Sequence, residues 1–122
     1  MEFVDSETAV VYDWKTGRFS DWNKAQYEEQ LELYAVGAFA KFPLLRIVFP
    51  KLVYLDSGVV WDQFMLTQEP MVFVREEDYE SLKKKWGKRV LPMLKTTVFQ
   101  AKANKLCGWC PFSKAKGGPC KH

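Results

Sequence analysis

The chain has 122 residues, enough for one small domain with a core of its own. Hydrophobic residues make up 48% and aromatics 16%, a balance that excludes a disordered chain, and no apolar run approaches the ~20 residues needed to cross a bilayer. The net charge of +3 hides a division: residues 1–80 hold 15 acidic and 7 basic side chains, whereas residues 81–122 hold 11 Lys or Arg and neither Asp nor Glu. Such asymmetry fits either a polyanionic partner such as nucleic acid or a solvated lysine-rich face. With no export signal in view, the expectation is a soluble, cytoplasmic protein with no membrane partner.

Residues 1–4 (MEFV) and 9–15 (AVVYDWK) read as two strands joined by the polar turn DSET. In the second, side chains alternate between faces: Val10, Tyr12 and Trp14 point one way, Val11, Asp13 and Lys15 the other. Thr16-Gly17 ends it. Ser20 or Asp21 is placed to cap a helix running to about Lys41 and stopped by Pro43. Tyr27, Leu31, Tyr34, Ala35 and Ala38 recur at helical spacing as its buried stripe, and Gln30 and Tyr34, four apart, are neighbours on it. The segment KLVYLDSGVVWDQFML (51–66) reads as a hairpin turning at Asp56-Ser57-Gly58. A second helix is expected from about Glu76 to Lys95, with acidic REEDYE at its start and an apolar stripe of Tyr79, Leu82, Trp86, Val90 and Met93 or Leu94. Pro92 is set to kink or shorten it. From Thr96 the chain loses periodicity and becomes basic, Gly/Pro-punctuated and cysteine-bearing. The expected fold is α/β (α+β), a small mixed sheet flanked by helices. It forms a single domain over 1–122, with a core at 1–95 and a cysteine-ligated tail at 96–122.

Asp13 and Lys15 form the first constellation with chemical content. Phosphodiester hydrolysis calls for a hard divalent cation, Mg2+ or Mn2+, held by oxygen ligands, and for a cation near the attacking water or the developing charge. Two-residue spacing on a strand puts a carboxylate and an ammonium side by side, and the Trp14 carbonyl between them is a further metal ligand to consider. On its own, Asp-x-Lys reads as a solvent-facing ion pair on an edge strand. The second constellation is Cys107, Cys110 and Cys120, crowded into the last sixteen residues. An odd number of clustered thiols suits a metal site better than a disulfide framework, and soft thiolates suit iron–sulfur or zinc.

Taken together, Asp13-Trp14-Lys15-Thr16-Gly17 closing an apolar strand and Gln30-Leu31-Glu32-Leu33-Tyr34 on the next helix resemble the RecB-like branch of the PD-(D/E)XK nucleases. There a (D/E)-x-K motif ends a strand and the following helix carries Q-x-x-x-Y. The tail, Cys107-Gly108-Trp109-Cys110-Pro111-Phe112 with Cys120, resembles the C-terminal cysteine cluster of the iron–sulfur members of that branch. The resemblance covers nearly the whole chain and implies a restriction-endonuclease-like core. Its implied activity is a Mg2+- or Mn2+-dependent DNA exonuclease in recombination, repair or phage DNA processing, acting on single-stranded DNA or duplex ends. By that resemblance Asp13 and the Trp14 carbonyl would hold the metal, Lys15 would orient water and stabilise charge, and Gln30 and Tyr34 would arrange the site and the DNA. Cys107, Cys110 and Cys120 would hold a structural [4Fe–4S] cluster that pins the tail to the core. Lys102, Lys105, Lys114 and Lys116 would track the phosphate backbone, and Trp109 or Phe112 would stack on bases or pack beside the cluster.

The family pattern also has a metal-binding Asp about a dozen residues ahead of the Asp-x-Lys acid. Counting back from Asp13 reaches Met1 or just before it, leaving Glu2 as the stand-in, with Asp5 the other nearby acid. The fourth, upstream cysteine is likewise missing, and His122 would complete a Cys3His set that favours zinc. Two other functions stand beside the exonuclease. One is a catalytically incomplete DNA- or protein-binding module: a fragment, a split subunit whose second chain completes the core, or an inhibitor-like relative. The other is a zinc-ribbon-like adaptor in which the tail is the functional part.

Overall fold

The computed structural model describes residues 1–19, 21–64, 67–98, 100 and 102–122. The chain divides into two compact units, Met1–Val90 and Leu91–His122. The first is built on a mixed sheet. Strand β1 (Glu2–Phe3) pairs antiparallel with β2 (Thr8–Lys15), which runs parallel to β3 (Ile47–Tyr54). Strands β4 (Val59–Trp61) and β5 (Phe73–Val74) both pair antiparallel with β3. A parallel pair cannot be closed by a tight turn, and helix α1 (Lys24–Lys41) supplies the crossover between β2 and β3. Its sequence, rich in Ala, Glu, Leu, Gln and Lys, favours the helix. It stops where Phe42 turns extended ahead of Pro43, with the Phe42 N–H donating to the Ala38 carbonyl at 2.9 Å. Ser20 lies outside the described residues, as does the Asp21 side chain, and a short 3-10 turn, Asp21–Asn23, precedes α1.

The core lies between one face of the sheet and α1. Ala9 on β2 and Val48, Pro50, Leu52 and Tyr54 on β3 are buried there. They meet Leu31, Ala35, Ala38 and Phe39 from the helix, with Leu45, Trp61, Met71, Phe73 and Leu82 closing the rim. Tyr27 and Tyr34, expected in the buried stripe, pack against this core only partly. Truncating a side chain as enclosed as Leu31 or Phe39 costs about 2–5 kcal/mol.

Pro50 in the middle of β3 has a geometric explanation. Leu55 N–H donates to the Lys15 carbonyl at 2.9 Å, and Ile47 N–H to the Glu7 carbonyl at 3.0 Å. Alternation therefore directs the N–H groups of odd-numbered β3 residues toward β2 and those of even-numbered residues away. The N–H that Pro50 lacks would point between the partners of β5, at residues 47–48, and of β4, at residues 52–54. No ladder bond is lost there.

The hairpin turns at Asp56-Ser57-Gly58 as the sequence indicates, with Gly58 at φ +66° and its N–H donating to the Tyr54 carbonyl at 2.9 Å. Residues 65 and 66 of the expected second hairpin strand lie outside the described residues. The second helix, α2 (Glu80–Lys95), begins later than expected, because Arg75–Tyr79 form one π-helical turn. Asp78 reaches back across that turn to accept from the Val74 N–H at 2.7 Å. Its apolar stripe covers the core only as far as Leu82 and Trp86, and Val90 is exposed. Pro92 sits inside α2 without ending it. Lys85 pairs with Glu32, and Arg89 with Glu29 at 2.8 Å, so both of these α1 acids are spent on joining the two helices.

Arg75 fixes the end of α1. Its Nε donates to the Leu45 carbonyl at 2.5 Å, and its Nη2 to the carbonyls of Phe39 at 2.6 Å and Phe42 at 2.7 Å. The guanidinium also lies over the rings of Phe39 and Tyr79, at 5.0 and 5.1 Å. One planar cation thus caps the Phe39 carbonyl at the end of the helix, joins the Leu45 N–H on the Phe42 carbonyl, and sets α1 against the loop leading to β3. Arg75→Ala removes these three hydrogen bonds, strands the Phe39 carbonyl, and is expected to lower the unfolding free energy by about 2–4 kcal/mol. Arg75→Lys recovers only part of this, for want of the planar fork. Urea denaturation of the two variants tests it, and a loss near zero for the alanine variant would refute the anchoring role.

Candidate active site

Alternation along β2 places Ala9, Val11, Asp13 and Lys15 on the α1 side of the sheet and Val10, Tyr12 and Trp14 on the other. The Tyr12 and Trp14 rings stack on that second face, 5.8 Å apart at 26°. In register, Asp13 stands beside Leu52 and Lys15 beside Tyr54. The side chains of Asp13 and Lys15 are only 12% and 20% exposed, so this pair is not a solvated surface ion pair.

Lys15 joins the strand to the helix. Its Nζ is 2.8 Å from Asp13 Oδ2 and donates to Gln30 Oε1 at 2.9 Å, while Gln30 Nε2 donates to the Tyr34 hydroxyl at 2.8 Å. The polarity of this chain follows from its first member. An ammonium can only donate, so it fixes the amide oxygen of Gln30 toward itself and the amide NH2 toward Tyr34. Tyr34 therefore accepts, which leaves its own O–H able to donate to another group. Asp13, Lys15, Gln30 and Tyr34, proposed as one site from the sequence, come together in space.

Two tyrosines belong to the same cluster, and the sequence did not reveal their place in it. Tyr27 offers its ring to Lys15, with Nζ 4.6 Å from the centroid. Tyr54 is 2% exposed. Burial pushes its phenol above the usual 10.0, and the neighbouring Tyr27, including their hydroxyl–hydroxyl hydrogen bond, and the negative charge of Asp13 push the same way. The spacing of Tyr27, Gln30 and Tyr34 on one helical face was a usable signal for the first. No local signal marks Tyr54, whose position depends on the parallel register.

The Asp13 carboxylate retains unused capacity. Its Oδ2 is buried without an aligned hydrogen bond, although the Lys15 ammonium is close. Along the same edge, the carbonyls of even-numbered β2 residues point away from β3, and β1 reaches only as far as the pairing of Glu2 with Val10. The Trp14 carbonyl thus faces an unpaired edge. Beside that edge is a cavity of about 580 Å³ lined by Met1, Asp13, Trp14, Leu33, Tyr34 and Lys41, among others. One carboxylate oxygen and one outward carbonyl are a donor set fit for a hard divalent cation, but only part of one.

Glu2 does not complete it. Its pairing with Val10 puts it on the Tyr12 face, where its carboxylate accepts from the Tyr12 hydroxyl at 3.2 Å, opposite to Asp13. The two-residue period dictates this: a residue opposite Val10 cannot share a face with Asp13. Asp5 is taken up by its own turn, accepting from the Glu7 N–H at 2.8 Å. Among the described residues, no three His, Cys, Asp or Glu side chains gather closely enough to hold a metal ion.

The second unit carries the cysteines. The turn at Cys107 is closed by Cys110 N–H donating to the Cys107 carbonyl at 3.2 Å, and the Asn104 N–H donates to Cys107 Sγ at 3.3 Å. The end of the chain folds back, with Cys120 N–H on the Phe112 carbonyl at 3.0 Å and Lys114 N–H on the His122 carbonyl at 2.8 Å. Gly118 is required there, since a Cβ would fall 2.3 Å from the Phe112 carbonyl carbon. Cys107, Cys110 and Cys120 are half-buried free thiols, and with His122 they do not form a closed ligand set. Lys102, Lys105 and Lys114 are exposed, as are Trp109 and Phe112, and Lys116 donates to the Trp109 carbonyl at 3.1 Å.

A small mixed sheet crossed by one helix, with Asp-x-Lys closing a strand and Gln and Tyr facing it, defines an α/β domain of the restriction-endonuclease-like kind. A family model for the PD-(D/E)XK nuclease superfamily matches residues 2–115, and the chain belongs to that superfamily. Neither the curated proteins nor the solved structures give a match. Nuclease chemistry on DNA is therefore the family activity, and divalent metal the family's general requirement. Among the described residues, no helix is long and apolar enough to cross a membrane.

The raised Tyr54 pKa has a measurable consequence. A folded-state pKa above the unfolded value gives stability that is complete below pH 10.0 and is lost as pH climbs from 10.0 through the raised value. Tyr54→Phe is expected to flatten this alkaline loss, as read from urea unfolding at pH 9 to about pH 11.5. Wild-type and variant curves of equal slope above pH 10.0 would contradict the assignment.

Proposed function

We propose that the chain carries the Asp-x-Lys half of a RecB-like, metal-dependent DNA exonuclease site. The observation that carries this reading is the chain from Asp13 through Lys15 and Gln30 to Tyr34, which joins a half-buried carboxylate, a half-buried ammonium and a hydroxyl beside the cavity. Bound Mg2+ or Mn2+, held by the Asp13 carboxylate and the Trp14 carbonyl, would polarise the phosphoryl group and lower the pKa of its water. Lys15, already partly dehydrated, needs little reorganisation to stabilise charge developing on the phosphate. Gln30 keeps that ammonium in place, and Tyr34 directs its free O–H to a phosphate oxygen. The basic tail, with Lys102, Lys105, Lys114 and Lys116, would hold the backbone of single-stranded DNA or of a duplex end.

The second metal acid is proposed to come from a strand added to the open edge of β2, supplied by a further segment or a second chain. Continued antiparallel in the register that β1 begins, such a strand sets one residue opposite Asp13 and on its face. A carboxylate there would share the metal. Cys107, Cys110 and Cys120 are proposed as thiolate ligands of a structural [4Fe–4S] cluster, with a fourth ligand from outside this set. Zinc with His122 is the alternative. Anaerobic purification separates these two, a brown protein with bound iron supporting the cluster and a colourless one with stoichiometric zinc refuting it.

That Asp13 has no second acid beside it among the described residues favours a second reading: a catalytically incomplete module that binds DNA or a related nuclease. The separating experiment is cleavage of end-labelled linear single- and double-stranded DNA in Mg2+ and in Mn2+. The exonuclease reading expects stepwise release from ends by the wild type and a loss of about 10²-fold or more for Lys15→Ala and Asp13→Asn. A wild type that shifts DNA in a gel but cuts neither substrate, with or without a complementing strand, supports the binding reading instead.

A further inference from the structure

An ammonium has three hydrogens, and the structure provides three directions for those of Lys15. Two are oxygen atoms, Asp13 Oδ2 at 2.8 Å and Gln30 Oε1 at 2.9 Å. The third is the face of Tyr27, whose centroid lies 4.6 Å from Nζ, within the range of a cation–π contact. Tyr27 precedes Gln30 by three residues, so the ring and the amide approach Lys15 from the same face of α1. The ring is itself held. Its hydroxyl hydrogen-bonds Tyr54, which stands opposite Lys15 in the ladder and packs edge-on against Phe19 at 5.3 Å.

We propose that Tyr27 is a positioning residue for the active-site lysine: its ring face closes the third side of the Lys15 ammonium, and Tyr54 locks the ring in that orientation. The inference rests on the reading of Lys15 as the cation of a nuclease site. A lysine on a four-carbon stem swings toward water when one side of its head is left open. With Asp13 and Gln30 alone, the ammonium would keep a free direction, and its aim at the phosphate would broaden. The ring closes that direction without neutralising the charge, which a second carboxylate would do.

The test uses the isotope-labelled full chain in solution, with the Lys15 ε-CH2 group as reporter. In the wild type, cross-relaxation between Tyr27 ring protons and the Lys15 ε-CH2 is expected. Its resonances should lie upfield, under the ring current, in the wild type and in Tyr27→Phe, and move downfield in Tyr27→Leu. In DNA cleavage, Tyr27→Leu should lose about tenfold in kcat with KM unchanged, while Tyr27→Phe keeps most of the activity. A merely structural tyrosine would give no cross-relaxation to Lys15, or would lower activity in proportion to lost folded protein. The proposal is overturned if that cross-relaxation is absent, if Tyr27→Leu leaves the Lys15 resonances in place, or if they move while kcat does not. Should Tyr27→Leu fail to fold, the wild-type cross-relaxation decides. A wild type that cuts no DNA, with or without a complementing strand, refutes the nuclease reading, while the spectra still decide the ring contact.

Discussion

The arrangement of this domain turns on one half-buried ammonium. Lys15 is half-buried, and its ammonium takes polar and aromatic partners in place of part of its water. Asp13 is adjacent through the strand's own alternation, but Gln30 and Tyr27 arrive from a helix at least twelve residues downstream. They reach it because α1 crosses from β2 to β3 and lies along the face that Asp13 and Lys15 share. Arg75, from beyond β5, holds the far end of that helix by three carbonyls. The position of the ammonium thus depends on contacts spread from the second strand to the start of the second helix.

How much of this was legible follows from how local each determinant is. The faces of β2 could be read from the sequence because a period of two leaves no freedom, and the same rule separates Glu2 from Asp13 once the β1 register is known. Gln30 and Tyr34 were legible as a pair because four residues make one helical turn, and the Gly58 turn because a left-handed residue in a tight hairpin calls for glycine. The parallel pairing of β2 with β3 was not. It joins segments some forty residues apart with no local signature, and Tyr54 and Pro50 take their meaning from it alone. Arg75 was hidden for the same reason: its three acceptors are backbone carbonyls about thirty residues away, and carbonyls leave no mark in a sequence. The late start of α2 reflects a π-helical turn in a segment whose acidic composition suits either geometry.

The site shows both capacity and a gap. Asp13 offers a carboxylate whose buried Oδ2 has the Lys15 ammonium as its close partner, the Trp14 carbonyl looks out over an edge with no strand paired to it among the described residues, and a cavity lies beside both. Open strand edges are usually blocked by charge, proline or a covering element. Among the described residues, this one instead presents Tyr12, Asp13 and Trp14 beside a cavity lined by Leu33, Tyr34 and Ala38 of α1. The acids on α1 that could have served are engaged elsewhere, Glu29 with Arg89 and Glu32 with Lys85. Superfamily membership gives the chemistry its class, and the geometry locates the part of that chemistry which these residues can perform.

The most direct test of the central claim is where a divalent cation binds. A Mn2+ titration of the labelled chain, followed by paramagnetic broadening of assigned resonances, reads the site without requiring turnover. The account predicts broadening centred on Asp13 and Trp14, extending to Lys15, Gln30 and Tyr34, and abolished by Asp13→Asn. Broadening centred on Glu2, or on Glu29 and Glu32, with Asp13 and Trp14 unaffected, would contradict it.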